Sequence, residues 1–184
     1  MIYNRCRDLL INLECTKLST SVLNLIKNLV IYQYGSESSK IFSEIDIDML
    51  KVCYSKNTKR IRSILYGDNI FITIRASDYM VIPHITFAKY LHKALPYPCY
   101  RVVVLNEIVE EILNGYTVFA KHIISGDPRI KPYDEVMIVD ERDNLIGVGR
   151  ALLDYESIIT SFRGAAIQIR EKYWVMQSYE RIQS

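Results

Sequence analysis

The chain has no Cys-x-x-Cys pair and only three histidines, so it lacks the clustered ligands from which structural zinc sites are usually built. Its four cysteines, Cys6, Cys15, Cys53 and Cys99, are expected to be isolated thiols in or near cores, with a Cys6 to Cys15 disulfide as the alternative. His84 and His92 lie on one predicted helix but roughly 12 Å apart by helical rise, too far to share a metal. Gly-x-Gly-x-x-Gly, Gly-Lys-Ser/Thr and His-Glu-x-x-His are missing as well, which removes the common signatures of nucleotide-cofactor and metallopeptidase chemistry. The carboxylate pairs Glu110-Glu111 and Asp134-Glu135 are explained by helix-dipole and barrel-edge positions. No catalytic residue, metal, cofactor or small-molecule substrate is expected.

No run of about 18 apolar residues occurs, so no membrane span is expected. Arg5, Arg7 and Asp8 interrupt what would have to be the apolar segment of a signal peptide, which argues against export and for the cytoplasm. Net charge is only +2, too little for a generic nucleic-acid binder. It is unevenly divided. Residues 1–97 hold 13 Lys and Arg against 8 Asp and Glu, and residues 98–184 hold 10 against 13. Any contact with a polyanion must therefore be a local patch plus shape recognition.

Periodicity predicts a helix over 18–33, capped by Ser19, Thr20 or Ser21, with Val22, Leu25, Ile26, Leu29 and Val30 facing inward. Residues 41–50 read as a further short helix, with an extended segment as the alternative. The period then changes to two: strands are predicted over 51–55, 60–66 and 69–75, the last two joined at Gly67-Asp68. A helix follows over 83–95, with Pro83 in its first turn. Pro96-Tyr97-Pro98 is the best boundary, because two prolines favour extended backbone and suit neither helix nor central strand. Beyond it come a strand over 101–105, a helix over 106–114 with Asn106 as N-cap, and strands over 118–124, 134–140, 145–153, 164–170 and 173–179. A second helix over 154–162 buries Ile158, Ile159 and Phe162. The expectation is an α+β N-terminal domain, 1–97, followed by a small mostly-β pseudo-barrel with two helices, 98–184.

The succession Gly115-Tyr116-Thr117-Val118-Phe119-Ala120-Lys121, Asp134-Glu135-Val136 and Gly147-Val148-Gly149-Arg150-Ala151 resembles the PUA domain, an RNA-binding module. It looks closest to the version that ends archaeal (archaeosine) tRNA-guanine transglycosylases, which carries a Val-Phe-Ala-Lys strand, an Asp-Pro loop, an Asp-Glu-Val strand and a Gly-Arg-Ala strand in this order. Upstream, residues 59–68 and 73–78 look like the small α+β domain that precedes PUA there, and the layout is similar to pre-PUA plus PUA proteins of translation and ribosome maturation. The resemblance implies an archaeal RNA-binding protein that recognises a tRNA acceptor end or an rRNA helix. Two other roles stay open: a separate targeting subunit of a tRNA-modifying enzyme, with a protein partner on residues 1–97, and a translation factor acting through protein contacts. The transglycosylase reaction belongs to a separate barrel domain for which this chain has no room.

By the same resemblance, the RNA-binding residues are expected to be Gly115, Tyr116, Lys121, His122, Arg129, Lys131, Arg150 and Arg163. Gly115 is first a helix cap in the left-handed region, and its missing side chain would admit an RNA backbone. Tyr116 would stack on a base or sugar, and Lys121 would meet a phosphate as a point charge. Phe119 and Lys121 share a strand face in this reading, and Lys121 is expected to reach past the barrel end. The small residues beside Arg150 and Arg163 would leave room for a phosphate.

Overall fold

The computed structural model describes residues 12–161 and 163–173, and the chain divides into two compact units, 1–96 and 97–184.

The first unit is a five-stranded antiparallel sheet in the order β1-β2-β3-β4-β5: Leu13–Lys17, Leu50–Ser55, Ile61–Tyr66, Asn69–Ile74 and Val81–Pro83. Two of these strands, β1 and β5, have no counterpart in the periodicity: β1 is an edge whose partner β2 lies far along the chain, and β5 is an edge of only three residues. Helix α1 (Thr20–Tyr34) starts at Ser19, whose hydroxyl accepts from the Val22 N–H at 3.4 Å. Its buried residues are Ile26, Val30, Gln33 and Tyr34, a stripe rotated from the predicted one, and Leu25 remains 47% exposed. Gln33 explains the rotation: its side-chain amide is buried and brackets Val81 of β5, donating to the carbonyl at 2.9 Å and accepting from the N–H at 2.7 Å. Residues 41–50 form only a four-residue helix, α2 (Ile41–Glu44), and a 3-10 turn before β2. Pro83 ends β5 instead of opening α3 (Ile85–Ala94). His84, just before α3, makes a 2.9 Å hydrogen bond between Nε2 and Thr73 Oγ1.

The cysteine expectation is overturned. Cys15 and Cys53 face each other across β1 and β2 and form a disulfide. They are 38 residues apart in sequence, so only strand pairing brings them together. Cys6 lies outside the described residues.

The second unit is a six-stranded mixed sheet in the order β7-β11-β10-β9-β6-β8, comprising Thr117–Phe119, Ala165–Lys172, Leu145–Ala151, Glu135–Val139, Arg101–Val104 and Ile123–Gly126. Only the β6 and β9 pair is parallel. The sheet curls around Val104, Val118, Ile130, Ile138, Ile146 and Ile167, all buried, and helices α4 (Val109–Asn114) and α5 (Tyr155–Thr160) contribute Ile112 and Ile158. Asp154 caps α5 by accepting from the Ser157 N–H at 2.8 Å. Ile159 is 44% exposed and not part of the core. Asn106 does not cap a helix; it exchanges hydrogen bonds with Glu141. Residues 174–179 of the predicted strand 173–179, and Phe162, fall outside the described residues.

Candidate nucleic-acid interface

The predicted strand over 118–124 is broken by a 3-10 turn at Ala120–His122, between β7 and β8. Phe119 and Lys121 therefore do not share a strand face, and Phe119 is 46% exposed. Its ring lies 6.5 Å from that of the half-buried His122. The Ala120 N–H donates to Gly164 O at 3.0 Å, so one hydrogen bond ties together the turns that carry Lys121 and Arg163. Both side chains are exposed.

Gly115 has φ −92° and ψ −177°. This is extended backbone open to any residue, not the left-handed cap expected. The next residue, Tyr116, is 72% exposed, and Lys172 Nζ stands 4.7 Å from the centroid of its ring, a cation on an aromatic face. The Tyr116 and Lys172 pair sits at the end of β7 opposite Lys121 and Arg163, roughly 10 Å away at about 3.3 Å per residue.

Between these ends runs a polar row. Strand register aligns Thr117, Gln168, Arg150 and Glu135 across β7, β11, β10 and β9. Cross-strand neighbours share a face, and Gln168 is exposed while Ile167 and Ile169 on either side are buried, so this face is open to solvent at Gln168 and partly at Arg150, and closed at the buried Glu135. Arg150 donates to Gln168 Oε1 at 2.9 Å and lies 5.5 Å from the Tyr133 ring centroid. Arg150 has no acidic partner among the described residues. The glycines beside it admit protein backbone: a Cβ on Gly149 would come within 2.8 Å of Gln168 O, and one on Gly147 within 2.6 Å of Glu171 O. They let β11 lie close at the bulge between Val148 and Gly149, so the small residues there are taken up by strand packing.

Arg129 and Lys131 are differently placed. The Arg129 guanidinium forks onto the buried Asp127, with both contacts at 3.1 Å. That pairing raises the Arg129 pKa. Burial pushes the Asp127 carboxyl up, but the Arg129 side chain and the N–H groups of Tyr100 and Arg129 outweigh it and hold the carboxyl below its ordinary value. Lys131 stands beside acids: its N–H donates to Asp134 Oδ2 at 2.8 Å, and its charge acts on Asp154, whose carboxyl is lowered first by the Ser157 N–H. Of the predicted cations, Lys121, Arg150 and Arg163 thus carry no acidic partner among the described residues, whereas Arg129 is spent within its own loop. Sequence reasoning missed Gln168, Lys172 and Tyr133. The alternation around Gln168 was a usable signal; the ring contacts of Lys172 and Tyr133 were not.

Residues 24–98 match the patch-forming domain C2 of tRNA-guanine transglycosylase, and residues 100–173 match the PUA domain. The chain carries a PUA domain. It is 36% identical over 157 residues to the tRNA-guanine(15) transglycosylase of Methanococcus vannielii, covering 85% of this chain and 23% of that protein. The enzyme of the same name from Pyrococcus abyssi is 37% identical over 139 residues, 76% of this chain and again 23% of the relative. The PUA-domain chain thus spans about a quarter of the length of these curated relatives. Among solved structures, a hypothetical protein from Pyrococcus horikoshii OT3 superposes with a TM-score of 0.64 at 23% identity, covering 86% of this chain and 94% of the other. A conserved PUA domain protein from Thermoplasma acidophilum does so with 0.58 at 22% identity, covering 92% and 98%. These last two likenesses concern the fold. The C2 match accounts for the α+β first unit, and the PUA match for the mixed-sheet half-barrel.

Proposed function

We propose that this protein binds structured RNA, a tRNA in the first instance, through the outward face of its second unit. The reading rests on one arrangement: Arg150 in the Thr117, Gln168 and Arg150 row, flanked by the exposed rings of Tyr133 and Tyr116 and by Lys172. Unpaired guanidinium and ammonium groups meet phosphates, and exposed rings accept an unstacked base or sugar. Lys121, His122 and Arg163 extend the surface at its other end. Gly115 closes α4 with its own N–H, which donates to Glu111 O at 2.8 Å, and leads into Tyr116 without a left-handed conformation. The PUA match and the archaeal transglycosylase relatives support a place in tRNA modification, and the protein would act there in the cytoplasm.

The shared quarter of those relatives supports a finer reading, in which the chain carries no chemistry itself and presents RNA to a catalytic partner that docks on the first unit. The test is binding of the full chain to a tRNA transcript over a salt series. Arg150→Ala and Lys172→Ala should each weaken binding and lower the slope of log affinity against log salt by about one. Lys27→Ala, on α1, is the control; an equal loss in that variant would remove the second-unit surface from consideration.

A further inference from the structure

The first unit contains a cavity that the PUA surface does not use. It has a volume of about 360 Å³ and opens beside β1, the start of β3 and the end of β4. Its wall carries Arg60, Arg62 and Arg75, with the hydroxyls of Thr58 and Thr73, and no carboxylate among the described residues. An adjoining cavity of about 470 Å³ is apolar, lined by Leu25 and Leu29 of α1. Arg60, Ile61, Ile74 and Tyr79 border both, so a charged compartment and an apolar one meet along four residues.

The surrounding charges leave the arginine wall positive. Arg75 Nε is 3.4 Å from Asp78 Oδ1, and the nearby Lys59 holds Glu14 at 3.2 Å. Arg60 and Arg62 have no acidic partner among the described residues. On the apolar side, Leu25 is 47% exposed and Tyr79 is 53% exposed, although helical spacing assigns Leu25 to the core. Sites for small ligands run from about 300 to 1,000 Å³, which both compartments satisfy. An occupant must have an anionic group for planar, multidentate arginine recognition and a flat or apolar body for Tyr79, Ile61 and Ile74. A purely apolar partner would leave the arginine wall unmatched, and a bare anion would leave the leucine side empty.

We infer that this double cavity binds one unpaired nucleotide, its phosphate at Arg60 and Arg62 and its base against Tyr79 over Ile61 and Ile74. The inference takes from the proposed function only the source of the nucleotide, a single-stranded or extruded position of RNA; the site itself lies in the other unit and stands on its own residues.

The test is a methyl NMR titration of the full chain with inorganic phosphate, with a mixture of nucleoside 5′-monophosphates, and with a short 5′-phosphorylated single-stranded RNA. Nucleotides and RNA should both shift the Ile61 and Ile74 methyls and leave Ile138 and Ile146 of the second unit in place. Arg60→Ala combined with Arg62→Ala should weaken nucleotide binding by about tenfold or more, as loss of charge-assisted hydrogen bonds requires. Tyr79→Ala should weaken it about fivefold or more through lost stacking, while leaving the response to phosphate unchanged. Phosphate binding as tightly as nucleotides, or a response to apolar peptides in place of nucleotides, overturns the site. Binding of free nucleotides without a response to RNA overturns the RNA source. Loss of tRNA binding in Arg150→Ala with these methyl shifts intact would separate the two surfaces, and no methyl shift alongside normal tRNA binding would reject the cavity alone.

Discussion

Arg170 grips Glu135 from two strands away, with its Nε and a terminal guanidinium nitrogen each 2.7 Å from a different carboxylate oxygen. The Glu135 side chain is fully buried, at the end of the polar row that carries Arg150. A buried charge that loses its partner is costly, whereas an apolar replacement of both can be neutral. Arg170→Ala should therefore lower the unfolding free energy by roughly 3 kcal/mol, and adding Glu135→Leu should recover most of it. Urea unfolding of the full chain measures both.

Asp127 links stability to pH. Its folded carboxyl lies below the ordinary value, so its contribution is fully present above about pH 4 and is lost as pH falls through the lower folded value. Thermal unfolding from pH 6 down to pH 2.5 should show a decline that is shallower in Asp127→Asn. Arg129→Ala should lower stability while leaving the salt slope of tRNA binding unchanged, because its guanidinium already serves Asp127.

Gly149 and Gly115 should respond to alanine to different degrees. A Cβ on Gly149 would stand 2.6 Å from Ile167 Cγ2 and 2.8 Å from Gln168 O, where overpacking costs about 1 to 3 kcal/mol. On Gly115 the nearest atom would be Glu111 O at 3.1 Å, and φ is −92°, so the change should be mild. Melting temperatures of the two variants provide the comparison.

The Cys15 to Cys53 disulfide closes a sequence separation of 38 residues. Loop-closure entropy then gives about 3 to 4 kcal/mol, so dithiothreitol, or Cys15→Ser with Cys53→Ser, should lower the melting temperature of the first unit. An unchanged melt under reductant would contradict a bond that contributes to stability.

Local pattern was enough for much of the architecture. The hairpin of β3 and β4, the α1 start at Ser19, the Asp154 cap and the order of elements after residue 100 all follow from signals within a few residues: hydrophobic period, turn chemistry and capping side chains. The PUA resemblance likewise rests on short motifs, and the RNA contacts it implies for Lys121, Arg150 and Arg163 belong to the proposal above. Much of what failed depends on partners distant in sequence. Cys53 finds Cys15 only because β1 joins the sheet edge, and Leu25 leaves the core because Gln33 is drawn inward to Val81. Gly149 is small for the sake of β11, and Arg129 is paired with an acid only two residues away that the fold buries. Period and propensity are properties of neighbours along the chain, whereas register, burial and charge pairing are properties of neighbours in space, and only the folded sheets could decide those.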